Sequence, residues 1–181
     1  MRLFIAINLN KELKDGLCHT MQRLKEHTLQ GIFTLRENLH LTLVFIGETT
    51  KASSIRQAMD KVRVKPFSMS IGGLGRFRRD DGDIYWIGVE KNDALFEIYS
   101  ELYQELTIAG FSLEKGKFKP HLTLARRVVL RDGFDMDFFT KSVPSVTIQA
   151  DNISLMKSER INGKLTYTEI YKRSLWEDRQ G

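Results

Sequence analysis

The chain has 181 residues and a mass of 21.0 kDa, which fits one domain or two small lobes that share a core. Its single cysteine, Cys18, excludes an intrachain disulfide and a cysteine-based metal cluster, while 41% hydrophobic and 28% charged residues are ordinary for a globular protein. Lysine and arginine outnumber aspartate and glutamate by 28 to 23, and this basic balance favours a polyanionic partner without requiring one.

The sequence predicts a cytoplasmic protein. The apolar residues at the N-terminus are interrupted by Asn8, Asn10 and Lys11 before they could form the core of a signal peptide. No run approaches the ~20 apolar residues of a membrane span, so we expect no membrane association. The single cysteine fits a reducing compartment.

Periodicity predicts a strand, a helix and a second strand at the start of the chain. An apolar run at residues 3–7 indicates a buried strand, and Asn10 is a suitable N-cap for the next helix. Gly31 is expected to end this region, and residues 33–36, either a short strand or an extended segment, lead into a strand over residues 39–47. The helix presents an apolar stripe to the core, formed by Leu13, Leu17, Met21 and Leu24.

The middle of the chain continues with a helix and a strand. Thr49 or Thr50 is expected to cap a helix over residues 52–62, and a strand over residues 67–71 follows. The glycine-rich stretch after this strand lacks the spacing and the trailing lysine of a phosphate-binding P-loop. We therefore interpret it as a turn or bulge between strands.

Two hairpins and a further helix are predicted in the rest of the chain. Asp-Gly at positions 81–82 and Asn-Gly at positions 162–163 are typical hairpin turns. Asn92 or Asp93 is expected to cap a helix that stops at Gly110. The other expected elements are strands over residues 84–89, 121–129, 146–159 and 164–171 and a short helix over residues 134–139.

A tetrapeptide that begins with histidine occurs twice in the chain. It stands at His40-Leu41-Thr42-Leu43 and again at His121-Leu122-Thr123-Leu124, and the two copies use two of the four histidines. Alternate side chains of a strand share a face, so each copy presents one imidazole and one hydroxyl opposite two leucines. Two such strands side by side would hold two imidazoles and two hydroxyls around one small volume.

Each copy of the motif follows its own helix, which indicates an internal duplication. We expect an α+β fold of two pseudo-symmetric lobes that form a single domain over residues 1–181. Two antiparallel sheets are expected to face a central cleft, with the helices outside.

Two histidines suit acid–base chemistry on a phosphodiester. A neutral imidazole takes the proton of the attacking water or hydroxyl, and a protonated imidazole gives one to the leaving oxygen, because histidine titrates near working pH. The hydroxyls of Thr42 and Thr123 can donate hydrogen bonds to the nonbridging oxygens, helped by a nearby cationic side chain. His40 and His121 lack a third ligand at metal-binding spacing, so we expect neither metal nor cofactor.

Five segments carry a resemblance to a known family: Arg2-Leu3-Phe4-Ile5-Ala6, Glu37-Asn38-Leu39-His40-Leu41-Thr42-Leu43, Trp86-Ile87-Gly88-Val89, Phe118-Lys119-Pro120-His121-Leu122-Thr123-Leu124-Ala125-Arg126 and Leu155-Met156-Lys157-Ser158. They resemble the two-histidine phosphoesterases, most closely the RNA 2′,3′-cyclic phosphodiesterases, long called 2′-5′ RNA ligases. The likeness spans nearly the whole chain, and the paired His-x-Thr-x motifs are specific to that superfamily.

The resemblance implies a bilobal fold and metal-independent opening of an RNA 2′,3′-cyclic phosphate to a 2′-phosphomonoester. It implies that His40 is the proton donor and His121 the acceptor, and that the reverse reaction with a 5′-hydroxyl end is ATP-independent 2′-5′ ligation. The family's Ala-Arg after the second motif corresponds to Arg126, which would bind phosphate. The partner would be RNA with a 2′,3′-cyclic phosphate end, and we expect a monomer.

Several alternatives stay open in the sequence. Strict alternation from His121 would place Arg127, not Arg126, on the histidine face. Phe45 and Trp86 can stack a base, although core packing is favoured for Phe45. The substrate can instead be a small cyclic phosphate or a 2′-5′ oligonucleotide, and the protein can be an RNA-end binding module without enzymatic activity. Six basic residues could follow an RNA backbone or lie as solvated charges, namely Arg76, Arg78, Arg79, Lys115, Lys117 and Lys119.

Overall fold

The chain folds into nine described strands and four described α-helices. The computed structural model describes residues 1–114 and 116–175, so Lys115 lies outside the described residues. The described elements are β1 (Arg2–Asn8), α1 (Lys11–Glu26), β2 (Thr28–Phe33), β3 (His40–Glu48), α2 (Ala52–Asp60), β4 (Phe67–Phe77), β5 (Asp83–Val89), α3 (Asp93–Ile108), β6 (His121–Leu130), α4 (Met136–Lys141), β7 (Val146–Ala150), β8 (Asn152–Ile161) and β9 (Lys164–Ser174). A 3₁₀ turn, Arg36–Asn38, leads into β3.

The strands form two antiparallel sheets that place one motif strand in each. One sheet has the order β3-β1-β8-β9 and the other has the order β2-β6-β5-β4-β7. Helix α1 contacts β2 and β6, α3 contacts β3, and α4 contacts β4. The predicted α+β class with two antiparallel sheets is therefore confirmed. Each sheet also takes strands from distant parts of the chain, because β2 pairs with β6 and the β8–β9 hairpin pairs with β1.

The leucines of both motifs lie in the apolar core on the faces that the helices cover. Leu41 and Leu43 are buried in β3, and Leu122 and Leu124 are buried in β6. They belong to one cluster with the predicted stripe of α1. Burial of this kind contributes about 1.5–3 kcal/mol for each large side chain relative to exposure. The alternation of leucine with histidine and threonine thus separates the core from the opposite face of each motif strand.

Local signals correctly predict the N-caps of α1 and α3 and the β8–β9 hairpin. Asn10 accepts a hydrogen bond from the Leu13 N–H at 2.9 Å, and Asn92 accepts one from the Leu95 N–H at 3.0 Å. In the β8–β9 turn Asn162 and Gly163 adopt φ of +50° and +79°, which Asn and Gly tolerate better than other residues. These predictions are confirmed because each depends on neighbours in sequence.

The predicted single strand over residues 146–159 is wrong. It divides at Asp151 into β7, which pairs with β4, and β8, which pairs with β1 in the other sheet. The Asp151 carbonyl accepts a hydrogen bond from the Leu175 N–H at 2.8 Å, so the backbone carbonyl at the break remains hydrogen-bonded. Both halves alternate with the period of a strand, and the change of sheet leaves no mark on that period.

Other boundaries also differ from prediction. Gly31 lies inside strand β2, where a Cβ would stand 3.2 Å from the Val128 side chain, and the strand ends before residues 34–36. Helix α2 is capped by Lys51 without a side-chain hydrogen bond, so neither Thr49 nor Thr50 is its N-cap. The glycine-rich stretch lies within β4 as a bulge and does not separate two strands.

Candidate active site

A cleft of about 840 Å³ lies between the two sheets and gathers the predicted site residues. His40 and Thr42 reach it from β3, and His121, Thr123 and Arg126 reach it from β6. Strands β3 and β6 are in contact across the gap between the sheets. All five residues that the sequence singled out therefore line one cavity.

A bulge follows each motif and reverses the alternation of side chains. In β3 the residues Leu43 and Val44 are both buried, and in β6 Leu124 and Ala125 are both buried. The pairing of each strand with its neighbour shifts at this point. An extra residue in one strand redirects every later side chain to the other face. The fifth residue after each histidine therefore returns to the histidine face.

The bulge in β6 decides which of two adjacent arginines enters the cleft. Arg126 lines the cleft. Arg127 adopts a positive φ of +54° and forms an ion pair with Asp81 in the β4–β5 hairpin, with Nε 3.0 Å from a carboxylate oxygen. A Cβ on Gly82 would come within 2.6 Å of the Arg127 backbone, so glycine allows this close approach. Arg127 thus holds the hairpin, outside the cleft lining.

Both histidines are oriented by the same backbone contact. His40 Nδ1 lies 2.7 Å from the carbonyl oxygen of Asn38, and His121 Nδ1 lies 2.7 Å from that of Lys119. A carbonyl only accepts hydrogen bonds, so Nδ1 carries the proton in each ring. Nε2 is then the atom that gains or loses a proton. In each lobe the carbonyl lies two residues before the histidine, so the two histidines have the same tautomer and the same backbone partner position.

Asn38 is a buried residue that sequence reasoning did not single out. Its side chain is 5% exposed and donates to the Leu165 carbonyl at 2.8 Å, while its oxygen accepts from the Tyr167 N–H at 3.2 Å. Asn38 therefore ties the edge strand β9 to the turn that carries the carbonyl partner of His40. No local pattern predicts this contact, because β9 is far away in sequence.

Each histidine packs between two aromatic rings. The His40 ring lies 4.8 Å from Phe4 and 5.2 Å from Tyr167 between centroids. The His121 ring lies 5.1 Å from Phe77 and 5.9 Å from Trp86. These apolar surroundings restrict the imidazoles and remove them partly from water.

Trp86 packs behind His121. It lies across from Gly75 of β4, where a Cβ would come within 2.1 Å of the indole ring. The Lys119 ammonium lies 4.6 Å from the centre of the Trp86 ring, within the range of a cation–π contact. Trp86 therefore supports the second histidine, and glycine is required beneath it.

The two histidines differ in what their Nε2 atoms contact. His40 Nε2 lies 2.8 Å from the Thr42 hydroxyl. Among the described residues, His121 Nε2 and the Thr123 hydroxyl have no hydrogen-bond partner, and neither does the Arg126 guanidinium. Among the described residues, the second motif thus presents an imidazole and a hydroxyl that no other group occupies, whereas the histidine and threonine of the first motif contact each other.

Burial and positive charge act together on the imidazoles. Burial lowers the pKa of His40 below its ordinary value, against the Asn38 hydrogen bond that raises it, and Lys14, Arg126 and His121 lower it further. Burial also lowers the pKa of His121, against the Lys119 carbonyl, and Arg126 adds to the decrease. Both imidazoles therefore favour the neutral form, and an anion bound between them would favour protonation.

Among the described residues considered for RNA contact, Arg76, Arg78, Arg79, Lys117 and Lys119 do not line the cleft, and Lys115 lies outside the described residues. Arg76 pairs with Asp83 at 3.3 Å, and the Arg79 guanidinium donates to the Arg78 carbonyl. Three different basic residues line it instead, namely Arg2, Arg160 and Lys164. Over residues 1–114 and 116–175, no three His, Cys, Asp or Glu side chains lie close enough to hold a metal ion, and no helix is long and apolar enough to cross a membrane.

The family profile described as "2′-5′ RNA ligase superfamily" matches residues 13–162. The chain belongs to this superfamily. The RNA 2′,3′-cyclic phosphodiesterase of Thermotoga maritima is 34% identical over 95% of this chain and 94% of its own length. The protein of the same name from Archaeoglobus fulgidus is 32% identical over 70% of this chain and 72% of its own length. The family resemblance predicted from the paired motifs is confirmed.

Two solved structures share the fold of this chain. The crystal structure of Escherichia coli LigT complexed with 3′-AMP has a TM-score of 0.81 at 22% identity, covering 97% of this chain and 98% of that one. The structure of E. coli LigT complexed with phosphate has a TM-score of 0.76 at 22% identity over the same shares. The bilobal duplication predicted for this chain is confirmed by this match of fold.

Proposed function

We propose that this protein hydrolyses the 2′,3′-cyclic phosphate at an RNA end to a 2′-phosphomonoester, by metal-independent acid–base catalysis between His40 and His121. The observation that carries the proposal is the pairing of two imidazoles at one cleft, each with Nδ1 held by a carbonyl. The names of the relatives, RNA 2′,3′-cyclic phosphodiesterases, support the reaction class.

The reaction needs two proton transfers on opposite sides of the phosphorus. Neutral His121 Nε2 takes a proton from water as the water oxygen bonds to phosphorus. The bond between phosphorus and the 3′-oxygen breaks, and His40 Nε2–H protonates that oxygen. The product keeps its phosphate on the 2′-oxygen. Run backwards with a 5′-hydroxyl in place of water, the same groups exchange roles and give 2′-5′ ligation without ATP.

The contacts of the two Nε2 atoms support these unequal roles. Before substrate binds, the Nε2–H of protonated His40 can donate to the Thr42 oxygen, 2.8 Å away; in the complex the same Nε2–H turns to the 3′-oxygen, and the Thr42 hydroxyl donates to a phosphate oxygen. His121 Nε2 has no partner within the described residues, which suits an atom that receives a proton from water. Arg126 and the Thr123 hydroxyl complete the set of donors to the nonbridging oxygens.

The same proposal places the protein in the cytoplasm, where a single cysteine would remain reduced. The partner is an RNA with a 2′,3′-cyclic phosphate end. The working unit is a monomer, because one chain supplies both histidines, both threonines and Arg126 to the cleft.

The direct experiment uses purified protein treated with EDTA and a short RNA that ends in a 2′,3′-cyclic phosphate. We expect conversion to the 2′-phosphomonoester, identified by chromatography against 2′- and 3′-phosphate standards. A 3′-phosphate product would contradict the assignment of the leaving oxygen. RNA binding without turnover across pH 5 to 9 would favour a binding module. Turnover restricted to small cyclic phosphates or 2′-5′ oligonucleotides would change the substrate class.

The lowered histidine pKa values predict an acidic optimum for kcat/KM. The active free enzyme has His40 protonated and His121 neutral, so activity falls above the pKa of His40 and below that of His121. Both pKa values lie below the ordinary 6.5. We therefore expect a bell centred below pH 6.5, with about a tenfold loss for each pH unit on the alkaline side.

The kcat profile should differ, because it reports on the enzyme–substrate complex. The anionic phosphodiester raises the pKa of both imidazoles, and the alkaline limb moves to higher pH. Initial rates at saturating and limiting substrate between pH 4.5 and 9 measure both profiles. A kcat/KM optimum above pH 7 would contradict the lowered pKa values of the two histidines in the free enzyme.

A further inference from the structure

The surroundings of the two histidines differ along their own strands. Beyond His40 the bulge of β3 turns Phe45 to the cleft, where it is 42% exposed, so the sequence prediction of a core position is wrong. Beside His121 the paired position on β5 is Gly88, and paired positions share a face of the sheet. No side chain of that position covers the His121 imidazole, so the surface beyond His121 is set by other segments.

Lys119 places an ammonium on this outer side of His121. Its Nζ lies 4.6 Å from the centre of the Trp86 ring and 5.1 Å from the centre of the Phe77 ring, and both rings contact His121. Lys119 is exposed, and among the described residues its ammonium forms no hydrogen bond and no ion pair. A free ammonium therefore lies next to the two rings that pack against His121.

Two arginines of the β4–β5 hairpin extend this positive charge. The Arg79 guanidinium carbon lies 6.0 Å from the centre of the Phe77 ring, and its neighbour Arg78 is exposed. Within the described part of the chain, neither guanidinium forms an ion pair with a carboxylate. Two aspartates of the hairpin are already paired with other arginines, Asp81 with Arg127 and Asp83 with Arg76. The surface beyond His121 thus carries charge that suits the phosphates of a nucleic acid strand.

The direction of attack indicates which part of a substrate meets this surface. In a displacement at phosphorus the attacking and leaving oxygens lie roughly in line, on opposite sides of the phosphorus. The 3′-oxygen leaves towards His40, so the attacking oxygen lies on the side of His121. In 2′-5′ ligation a 5′-hydroxyl takes the place of water, and the strand that carries it extends from the cleft past His121. The first phosphodiester of that strand is one nucleotide away from the attacking oxygen.

We infer that Lys119, with Arg79 beyond it, forms a subsite for the 5′-hydroxyl RNA strand in ligation, an inference that rests on the proposed function. The 5′-oxygen of this strand bonds to phosphorus as the bond between phosphorus and the 3′-oxygen breaks. The proton lost by the 5′-hydroxyl is balanced by the proton gained by the 3′-oxygen. The Lys119 ammonium binds the first phosphodiester of the strand. This subsite raises the ratio of ligation to hydrolysis without selecting a sequence, because phosphate contacts do not read the bases.

The test measures ligation and hydrolysis in one reaction. A donor RNA that ends in a 2′,3′-cyclic phosphate is incubated with a subsaturating 5′-hydroxyl dinucleotide, and the readout is the ratio of 2′-5′-linked product to 2′-phosphomonoester. Lys119→Ala should lower this ratio about two- to fivefold, the effect of one exposed charge pair, and Lys119→Arg should restore it. Lys119 also lowers the pKa of His121, but both products depend on the same histidines, so that influence cancels in the ratio. The backbone carbonyl that holds His121 Nδ1 is kept in both variants.

Two comparisons separate a phosphate contact from a general effect of the substitution. Adenosine as the acceptor has no phosphodiester, so its ratio should be the same in wild-type and Lys119→Ala protein. With the dinucleotide, the slope of the logarithm of the ratio against the logarithm of salt concentration should be shallower by about 0.7 in Lys119→Ala protein, since one phosphate contact is lost. The matched control is Lys25→Ala, which removes an exposed lysine of α1 outside the cleft lining and should keep the wild-type ratio.

The outcomes distinguish the subsite from the proposed function. A dinucleotide ratio that is equal in wild-type and Lys119→Ala protein, or that falls no more than the adenosine ratio, overturns the subsite. Wild-type protein that hydrolyses the donor without ligation must be inhibited by the dinucleotide, with an inhibition constant that rises in Lys119→Ala protein, and an unchanged constant overturns the subsite. Wild-type protein that forms neither product overturns the proposed function instead.

Discussion

Alanine in place of either His40 or His121 is expected to lower kcat for RNA 2′,3′-cyclic phosphate by about two to four orders of magnitude. Without His121 the water oxygen has no base, and without His40 the 3′-oxygen leaves as an unprotonated alkoxide. Single-turnover assays with excess enzyme measure the loss apart from product release. The double variant should be about as slow as the slower single variant, because the two groups act in one step.

A suitable control for this pair is His19→Ala. His19 is exposed on α1 and does not line the cleft, so its removal should leave kcat within twofold of wild type, about 0.4 kcal/mol. Circular dichroism and product titration establish that the active-site variants fold and still bind the 2′-phosphate end. Activity that survives in both single variants would disprove the acid–base assignment.

Arg126→Ala is expected to lower kcat/KM by about 10²- to 10³-fold, the loss typical for one donor to a developing negative charge. Arg126→Lys should recover part of this loss, since an ammonium keeps the charge without the planar pair of donors. The matched control is Arg127→Ala, which removes the adjacent guanidinium and its ion pair with Asp81. An exposed pair of this kind contributes about 0–1 kcal/mol to stability.

The two arginine variants also differ in their expected pH profiles. Arg126 lowers the pKa of both histidines, so its removal should raise both values and move the kcat/KM bell to higher pH. Arg127→Ala should leave the bell in place. If Arg127→Ala costs more activity than Arg126→Ala, the phosphate-binding residue is Arg127, as strict alternation of the strand predicts.

The pairing of strands decides whether Arg126 or Arg127 lines the cleft, and the reason is physical. Along a regular strand, side chains alternate with a period of two, and that rule selects Arg127 and buries Phe45. A bulge is an extra residue relative to the neighbouring strand, so it exists only in a pair. The bulges after Thr42 and Thr123 appear in the pairing with β1 and β5. Nothing within β3 or β6 alone marks them, apart from the buried pairs Leu43–Val44 and Leu124–Ala125.

The other contacts of the two histidines also divide into local contacts and contacts that depend on tertiary pairing. The carbonyl partners of the histidines lie two residues upstream, so the local backbone alone can bring them into contact. Phe77, in contrast, contacts His121 only because β5 pairs with both β4 and β6. Tyr167 meets His40 because Asn38 ties β9 to the start of β3. Such contacts join segments that are far apart in the chain, and they give no periodic signal.

The sequence by itself determined the paired His-x-Thr-x motifs, the two helices capped by Asn10 and Asn92, the Asn162-Gly163 hairpin and the family. These features depend on short-range chemistry: strand alternation, side-chain caps and residues that tolerate positive φ. Only the tertiary structure decided that Arg126 enters the cleft, that Phe45 leaves the core, and that the chain changes sheet at Asp151. The reason is that the face of a strand and its sheet are set by its neighbours, and neighbours exist only after folding.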